Sequence, residues 1–261
     1  MIVTLSPSKG QDFDTPVEIP AEPTVPRMLD QSQLLIDELR HYSADQIAEL
    51  MAVSERIAKL NVARYRDFST PFTPDNARPA LYAFKGDVYR GIDVTHYSAK
   101  DLAFAQDHLR ILSGLYGCLR PLDLIQPYRL EMKTRLKNPR GDNLYQFWGE
   151  RITRCLNEDL AGHEETTLVN LASNEYFKAV KPKLLEGRLI QIDFKEIKNG
   201  KARTIAVFAK RARGLMADYV IRRRITHSED LKAFDREGYR FSAGDSDTGR
   251  WVFVRPQPAG K

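Results

Sequence analysis

Residues 108–123 read His108-Leu-Arg-Ile-Leu-Ser-Gly-Leu-Tyr-Gly-Cys-Leu-Arg-Pro-Leu-Asp123, and the architecture turns on whether this stretch is a helical hairpin. A helix carrying Leu109 and Leu112 inward would meet Gly114-Leu-Tyr-Gly117. Glycine admits φ > 0 and lets the backbone approach a neighbour closely. A G-x-x-G turn between short helices presents successive backbone N–H groups that hold a phosphate oxygen, helped by the helix dipole. Arg110 and Arg120 flank the turn and would clamp adjacent phosphates. In this helix-hairpin-helix reading the amides grip a nucleic-acid backbone without reading bases. The same letters fit a plain helix C-cap followed by a proline-containing loop, and the pattern leaves both open.

Outward from this stretch the chain alternates. Towards the N-terminus, Ser98-Ala-Lys-Asp101 opens the preceding helix, with Leu102 and Ala105 inward. Ala80-Leu-Tyr-Ala-Phe84 reads as an apolar strand. Ser43-Ala-Asp-Gln46 has capping-box spacing, and Ile47, Leu50, Met51, Ser54, Ile57 and Ala58 then trace one helical face. Prolines 7, 16, 20, 23 and 26 make residues 7–29 an extended loop after a first strand, 2–6. Towards the C-terminus, 145–160 reads as a helix and 167–171 as a short buried strand. Two β-rich runs, 189–198 and 201–209, flank Asn199-Gly200, a strong hairpin signal. Residues 211–224 read as a helix, and 239–243 with 250–254 as a closing pair of strands. No repeat, low-complexity tract or Gly/Ser-rich linker divides the 261 residues. The expected fold is therefore a single α+β domain over 1–261, a mixed β-sheet surrounded by helices and containing a helix-hairpin-helix-like element.

The apolar share of 42% and charged share of 29% exclude disordered, collagenous and coiled-coil classes. No apolar stretch approaches the ~18 residues of a membrane span, and the N-terminus lacks the pattern of a secretory signal. Cys118 and Cys155 show no pairing or metal-ligand spacing and read as reduced cytosolic thiols. The net charge is only +5, but it is unevenly spread: the first sixty residues hold ten acidic against five basic side chains. Residues 195–224 hold ten basic against two acidic, and 110–140 seven against two. Such runs fit a phosphate-bearing partner, since clustered cations displace counterions from a polyanion; they fit equally a solvated face balanced by the acidic N-terminal third.

Several enzyme signatures drop out. Ser6-Pro-Ser-Lys9 matches Ser-x-x-Lys, but the Ser-Asp-Asn and Lys-Thr-Gly partners of that hydrolase class are absent. Walker A, G-x-G-x-x-G, H-E-x-x-H and G-x-S-x-G are absent too. The five histidines are scattered, so no protein-bound metal or cofactor is expected. A polar site is the more open question. Lys85-Gly-Asp87 follows one apolar strand, and Asn170 with Ser173-Asn-Glu-Tyr176 follows another, where α/β folds line their crevices. Arg129 and Glu131 alternate with Tyr128, Leu130 and Met132. Lys9, Lys85, Asp87, Glu131 and Arg213 could then form an acid/base or anion-binding constellation, or an ion-pair network holding the fold. Tyr145-Gln-Phe-Trp-Gly149 is an aromatic core cluster that could also stack on an unpaired base.

Several strings together resemble the YaaA-type peroxide stress proteins: Phe84-Lys-Gly-Asp-Val-Tyr89, Leu109 to Gly117, Leu119-Arg-Pro-Leu-Asp-Leu124, Gln126-Pro-Tyr-Arg-Leu-Glu-Met132, Leu144-Tyr-Gln-Phe-Trp-Gly149, Asn170-Leu-Ala-Ser173, Glu175-Tyr-Phe177 and Ala209-Lys-Arg-Ala-Arg-Gly-Leu-Met216. The resemblance runs from Leu5-Ser-Pro to Gly238-Tyr239. It implies a bacterial cytoplasmic protein that limits peroxide damage by keeping unincorporated iron low. It also implies a family-specific fold and DNA binding through a helix-hairpin-helix, mapping onto Leu109 to Asp123. The family opening Ser-Pro-Ala-Lys-Thr stands here as Ser6-Pro-Ser-Lys-Gly10, so Lys9 is kept and the threonine is lost.

The expected partner is therefore DNA, duplex or branched, contacted by Arg110, Ser113, Gly114, Tyr116, Gly117, Arg120, Arg129, Lys210, Arg211 and Arg213 with little sequence preference, and without membrane or stable metal. The alternative is an enzyme acting on a nucleobase or nucleotide with Lys9, Lys85, Asp87, Glu131 and Arg213 around one pocket. Direct iron sequestration is disfavoured, because no ligand cluster is visible.

Overall fold

Ile2–Leu5 is buried at every position, which a strand achieves inside a sheet covered on both faces. In the computed structural model, which describes residues 1–258, this segment is β1. Seven further strands share its sheet: β2 (Leu109–Ser113), β3 (Gly117–Leu119), β4 (Thr167–Asn170), β5 (Arg188–Lys198), β6 (Lys201–Arg203), β7 (Arg240–Phe241) and β8 (Arg250–Pro256). Their order is β7-β8-β5-β4-β1-β2-β3, with β6 on β5. The five inner strands, β8 to β2, are parallel, and the antiparallel hairpin partners β3, β6 and β7 are added to them. The fold is thus the expected α+β mixed sheet. Residues 259–261 of the expected 1–261 span lie outside the described residues.

The central stretch departs from the expectation. The capping box at Ser98 and Asp101 does open a helix, but this helix ends at His108. Leu109 turns extended, and Leu109–Ser113 runs as a fully buried strand between β1 and β3. A strand buried on both faces shows no polar alternation, so its apolar run imitates the i, i+3 spacing of a helix. Gly114, Leu115 and Tyr116 form the tight turn of a β-hairpin. The helix-hairpin-helix element is therefore replaced by β2–turn–β3. Gly117, at φ +69°, closes the turn, and a Cβ there would lie 2.7 Å from both Met28 Sδ and the Trp148 ring.

The helices are α1 (Leu29–Arg40), α2 (Ala44–Met51), α3 (Glu55–Asp67), α4 (Ala99–His108), α5 (Arg151–Ala161) and α6 (Ala206–Arg223), with shorter turns between them. The Ser43–Gln46 capping box forms as expected, but Ala52, at φ +50°, separates α2 from α3. Gly149 likewise breaks the expected 145–160 helix in two. Ala80–Ala83 is a helical turn rather than a strand, leaving Phe84–Lys85 to pair with Gly10–Gln11. The Asn199-Gly200 hairpin forms with both residues at positive φ, but β6 stops at Arg203 and α6 already starts at Ala206.

His108 ends α4 buried, with Nδ1 2.8 Å from the Met1 carbonyl oxygen. Burial pushes its pKa down to about 4, outweighing the hydrogen bond to Met1. The unfolded chain titrates near 6.5, so it binds the proton first. His108 therefore adds stability above pH ~6.5 that disappears as the pH falls towards 4, up to about 3 kcal/mol. Urea midpoints taken between pH 7.5 and 4.5 should fall less steeply for His108→Gln than for the native chain.

Candidate functional site

Strand order reverses at one point in the sheet. From β1 the chain reaches β2 on one flank, whereas β4, β5 and β8 follow in succession on the other. Loops leaving the carboxyl ends of β1 and β4 therefore diverge and open a crevice, the usual ligand position of open parallel sheets. A cavity of about 440 Å³ lies there, lined by Ser6–Lys9 after β1 and by Leu171, Ser173, Glu175 and Tyr176 after β4. Gly86–Val88, Glu131, Lys133, Lys210 and Arg213 complete the wall.

The two loops are stitched together. Ser6 Oγ accepts the Ser173 N–H at 2.8 Å and donates to Ser173 Oγ at 3.2 Å. The strand pair Gly10↔Lys85 sets Lys9 beside the Gly86–Val88 segment. Helix α6 reaches the site through two glycines: a Cβ on Gly214 would lie 1.8 Å from the Val88 carbonyl oxygen, and one on Gly91 2.6 Å from the Arg211 carbonyl oxygen. Only with both side chains absent can α6 approach close enough for Lys210 and Arg213 to line the cavity.

Charge in the cavity is mixed. Glu131 receives Lys9 Nζ at 2.8 Å, Arg129 at 3.5 Å and Lys133 at 3.7 Å. Burial alone would raise the Glu131 carboxyl, but the hydrogen bond from Lys9 and these cations hold it below its ordinary value. Glu131 is thus an anion at neutral pH. Asp87 pairs with Arg90 at 3.4 Å. Arg78, Arg129, Arg213 and Arg255 each bury an Nε with no hydrogen-bond partner; of these four only Arg213 makes no ion pair among the described residues, and burial pulls its pKa down against the charge of Asp193. Among the described residues no carboxylate lies within ion-pair distance of Arg213 or Lys210.

Of the five residues expected around one pocket, Lys9, Asp87, Glu131 and Arg213 do meet. Lys85 does not; it pairs with Asp12 at 3.6 Å outside the cavity. The ten residues expected to contact DNA divide. Arg129, Lys210 and Arg213 sit at or beside the cavity, and Arg211 is turned to Glu237 at 2.6 Å. Those of the hairpin are spent on the interior. Arg110 is 4% exposed and bonds Asp159 at 2.6 Å and the carbonyls of Gln106 and Leu109. Ser113 Oγ accepts the N–H groups of Leu115 and Tyr116, the donors a phosphate would need. Gly114 accepts from the Trp148 indole, and Tyr116 is fully buried against Gln126. Gly117 packs on Trp148, and Arg120 bonds Asp123. The Leu115 and Tyr116 amides of this turn are therefore taken by Ser113, and its two arginines hold carboxylates.

Glu175 and Tyr176 line the cavity as the strand-end position of 173–176 suggested, whereas Ser6, Ser8 and Lys133 were not expected there. The two serines carry the same signal, a place after a strand end in the Ser6-Pro-Ser turn.

These loops and helix ends coincide with the strings on which the family resemblance rests. The sequence model of the peroxide stress protein YaaA family matches residues 1–245. The chain belongs to this family. Relatives similar to it include UPF0246 proteins of Azoarcus sp. (strain BH72), 56% identical with 98% of this chain and 100% of the relative covered, and of Ralstonia pickettii (strain 12J), 54% identical with 98% and 99% covered. A third, from Acaryochloris marina (strain MBIC 11017), is 54% identical with 98% and 100% covered. Among the described residues no helix is long and apolar enough to cross a membrane.

Proposed function

We propose that this peroxide stress protein acts in the bacterial cytoplasm by binding the DNA phosphate backbone, duplex or branched, in the crevice at the carboxyl ends of β1 and β4. The observation that carries the reading is Arg213. A guanidinium drawn out of water with no carboxylate beside it is costly, and an arriving phosphate supplies the missing charge and hydrogen-bond acceptors. Lys210, one turn earlier on α6, and Lys133 on the facing wall extend the cationic track. The reading also takes in the limiting of damage from unincorporated iron that the family resemblance implies.

The test is binding of a fluorescent duplex at several salt concentrations. The logarithm of affinity should fall linearly with log salt. The double substitution Lys210→Gln and Arg213→Gln should weaken binding evenly across sequences and flatten the slope by about 0.9 per contact removed. Unchanged affinity and slope would sink this reading.

One observation favours a second reading: Glu131, Asp87 and Glu175 share the cavity, and carboxylates repel a phosphate backbone but accept the donors of a nucleobase. An enzyme acting on a nucleobase or nucleotide would use Lys9 and Glu131 as its proton-transfer pair. In that case a free nucleotide competes with the duplex for the cavity and is consumed.

A further inference from the structure

Cys118 and Cys155 are separated in sequence, but the fold brings them together. Cys118 lies on β3 and Cys155 on α5, both free and buried. Their Sγ atoms and a carboxylate oxygen of Asp159 lie within 4.8 Å of one another. Two guanidiniums close this nest. Arg27 grips both oxygens of Asp159 at 2.8 and 2.7 Å, and Arg110 Nε reaches Oδ2 at 2.6 Å. Two cations against one carboxylate leave the nest one positive charge in excess, which a thiolate would neutralise. The same geometry argues against a metal ion, since both Asp159 oxygens are taken by guanidiniums that would repel a cation.

We propose that Cys155 is a peroxide-reactive thiol with Cys118 as its resolving partner, so that the two close to a disulfide when the cell meets hydrogen peroxide. Thiolates, not thiols, react with peroxide, and arginines beside a cysteine favour the thiolate. The two sulfurs divide their roles: a hydrogen bond from Cys118, reinforced by Arg27 and Arg110, draws the Cys155 thiol down against burial, while the Cys118 thiol is pushed up. Cys155 is the less deeply buried of the two sulfurs, at 4% exposure against none for Cys118, and the Arg27 side chain closing the nest is 30% exposed.

The chemistry balances. The Cys155 thiolate attacks one peroxide oxygen; an S–O bond forms, the O–O bond breaks, and hydroxide leaves to take up the proton that Cys155 had released. Cys118 sulfur then attacks the sulfenic sulfur, losing its proton. The S–S bond forms, the S–O bond breaks, and the departing hydroxide combines with that proton. Two thiols and one hydrogen peroxide give one disulfide and two waters. The disulfide would tie α5 to β3.

Hydrogen peroxide itself is the probe. The reduced full-length chain is treated, quenched, and analysed by intact mass and non-reducing peptide mapping. The expected result is loss of two hydrogen masses, a linked Cys118–Cys155 peptide, and reversal by dithiothreitol. Loss of Cys155 thiol should run faster than that of free cysteine at neutral pH, since the gain in thiolate fraction outweighs the smaller loss of intrinsic nucleophilicity. In Cys118→Ser the reaction should stop at a sulfenic acid on Cys155 that dimedone traps; in Cys155→Ser, Cys118 should stay reduced. Two intact thiols after treatment, oxidation of Cys118 first, or a rate no greater than that of free cysteine would overturn the proposal. Because rate and linkage are read on the native chain, neither depends on the serine variants folding. DNA binding does not enter, so this inference stands or falls apart from the crevice.

Discussion

Gly214→Ala should cost roughly 2–4 kcal/mol of stability and open the crevice. At most sites within a helix this change helps by about 1 kcal/mol, because alanine is the better helix former. Here the added methyl would lie 1.8 Å from the Val88 carbonyl oxygen, a backbone atom with no rotamer to escape into. Either α6 or the 88–91 segment must retreat, and the retreat separates Lys210 and Arg213 from Gly86–Val88. Equilibrium urea unfolding measures the stability, and duplex binding by the folded fraction measures the damage to the site. Gly244→Ala is the control: nothing lies within 4 Å of a Cβ there, so its midpoint should stay within about 0.5 kcal/mol of the native one. A neutral Gly214→Ala would mean that α6 does not depend on this approach.

Arg110→Ala should destabilise by about 3–5 kcal/mol while leaving the salt slope of DNA binding unchanged. Its guanidinium satisfies Asp159 and two backbone carbonyls at the end of α4 and the start of β2. Removing it strands those acceptors in the interior and leaves Asp159 to Arg27 alone. A helix-hairpin-helix arginine would behave oppositely, losing affinity and slope with little stability. Arg120→Ala should be milder, because buried Asp123 keeps the Thr24 hydroxyl at 2.7 Å and the backbone N–H of residue 120 at 2.7 Å. Thermal unfolding beside salt titration separates the two roles. A stable Arg110→Ala chain with a flattened slope would restore the hairpin to the nucleic-acid surface.

Signals contained in a few neighbouring residues were legible. The Ser43–Gln46 and Ser98–Asp101 capping boxes and the Asn199-Gly200 hairpin form where the letters put them. Strands β1 and β4 were visible as short apolar runs. The hairpin at 109–119 was not, since an apolar run covered on both faces carries no period to separate strand from helix. For the site, polar residues after strand ends pointed to Asp87 and to the 170–176 loop, and the basic run pointed to Lys210 and Arg213. Lys85 and Asp87, two positions apart, would share a face on a continuing strand, but Gly86 at φ +119° turns the chain between them, so Asp87 lines the cavity and Lys85 turns to Asp12.

By itself, then, the sequence determined the caps, the turns, the fold class, the family and the uneven charge, all of which rest on chemistry within a turn or two of chain or on whole strings of letters. The tertiary structure alone decided which loops meet. Ser6 bonds Ser173 across 167 residues, Arg27 bonds Asp159 across 132, and the two cysteines share one nest. Such contacts follow from strand order and from the space that Gly91 and Gly214 leave open, and neither is written in any local pattern. The same packing turned the arginines of the hairpin onto carboxylates, and left Arg213 facing the crevice with no carboxylate within ion-pair distance among the described residues.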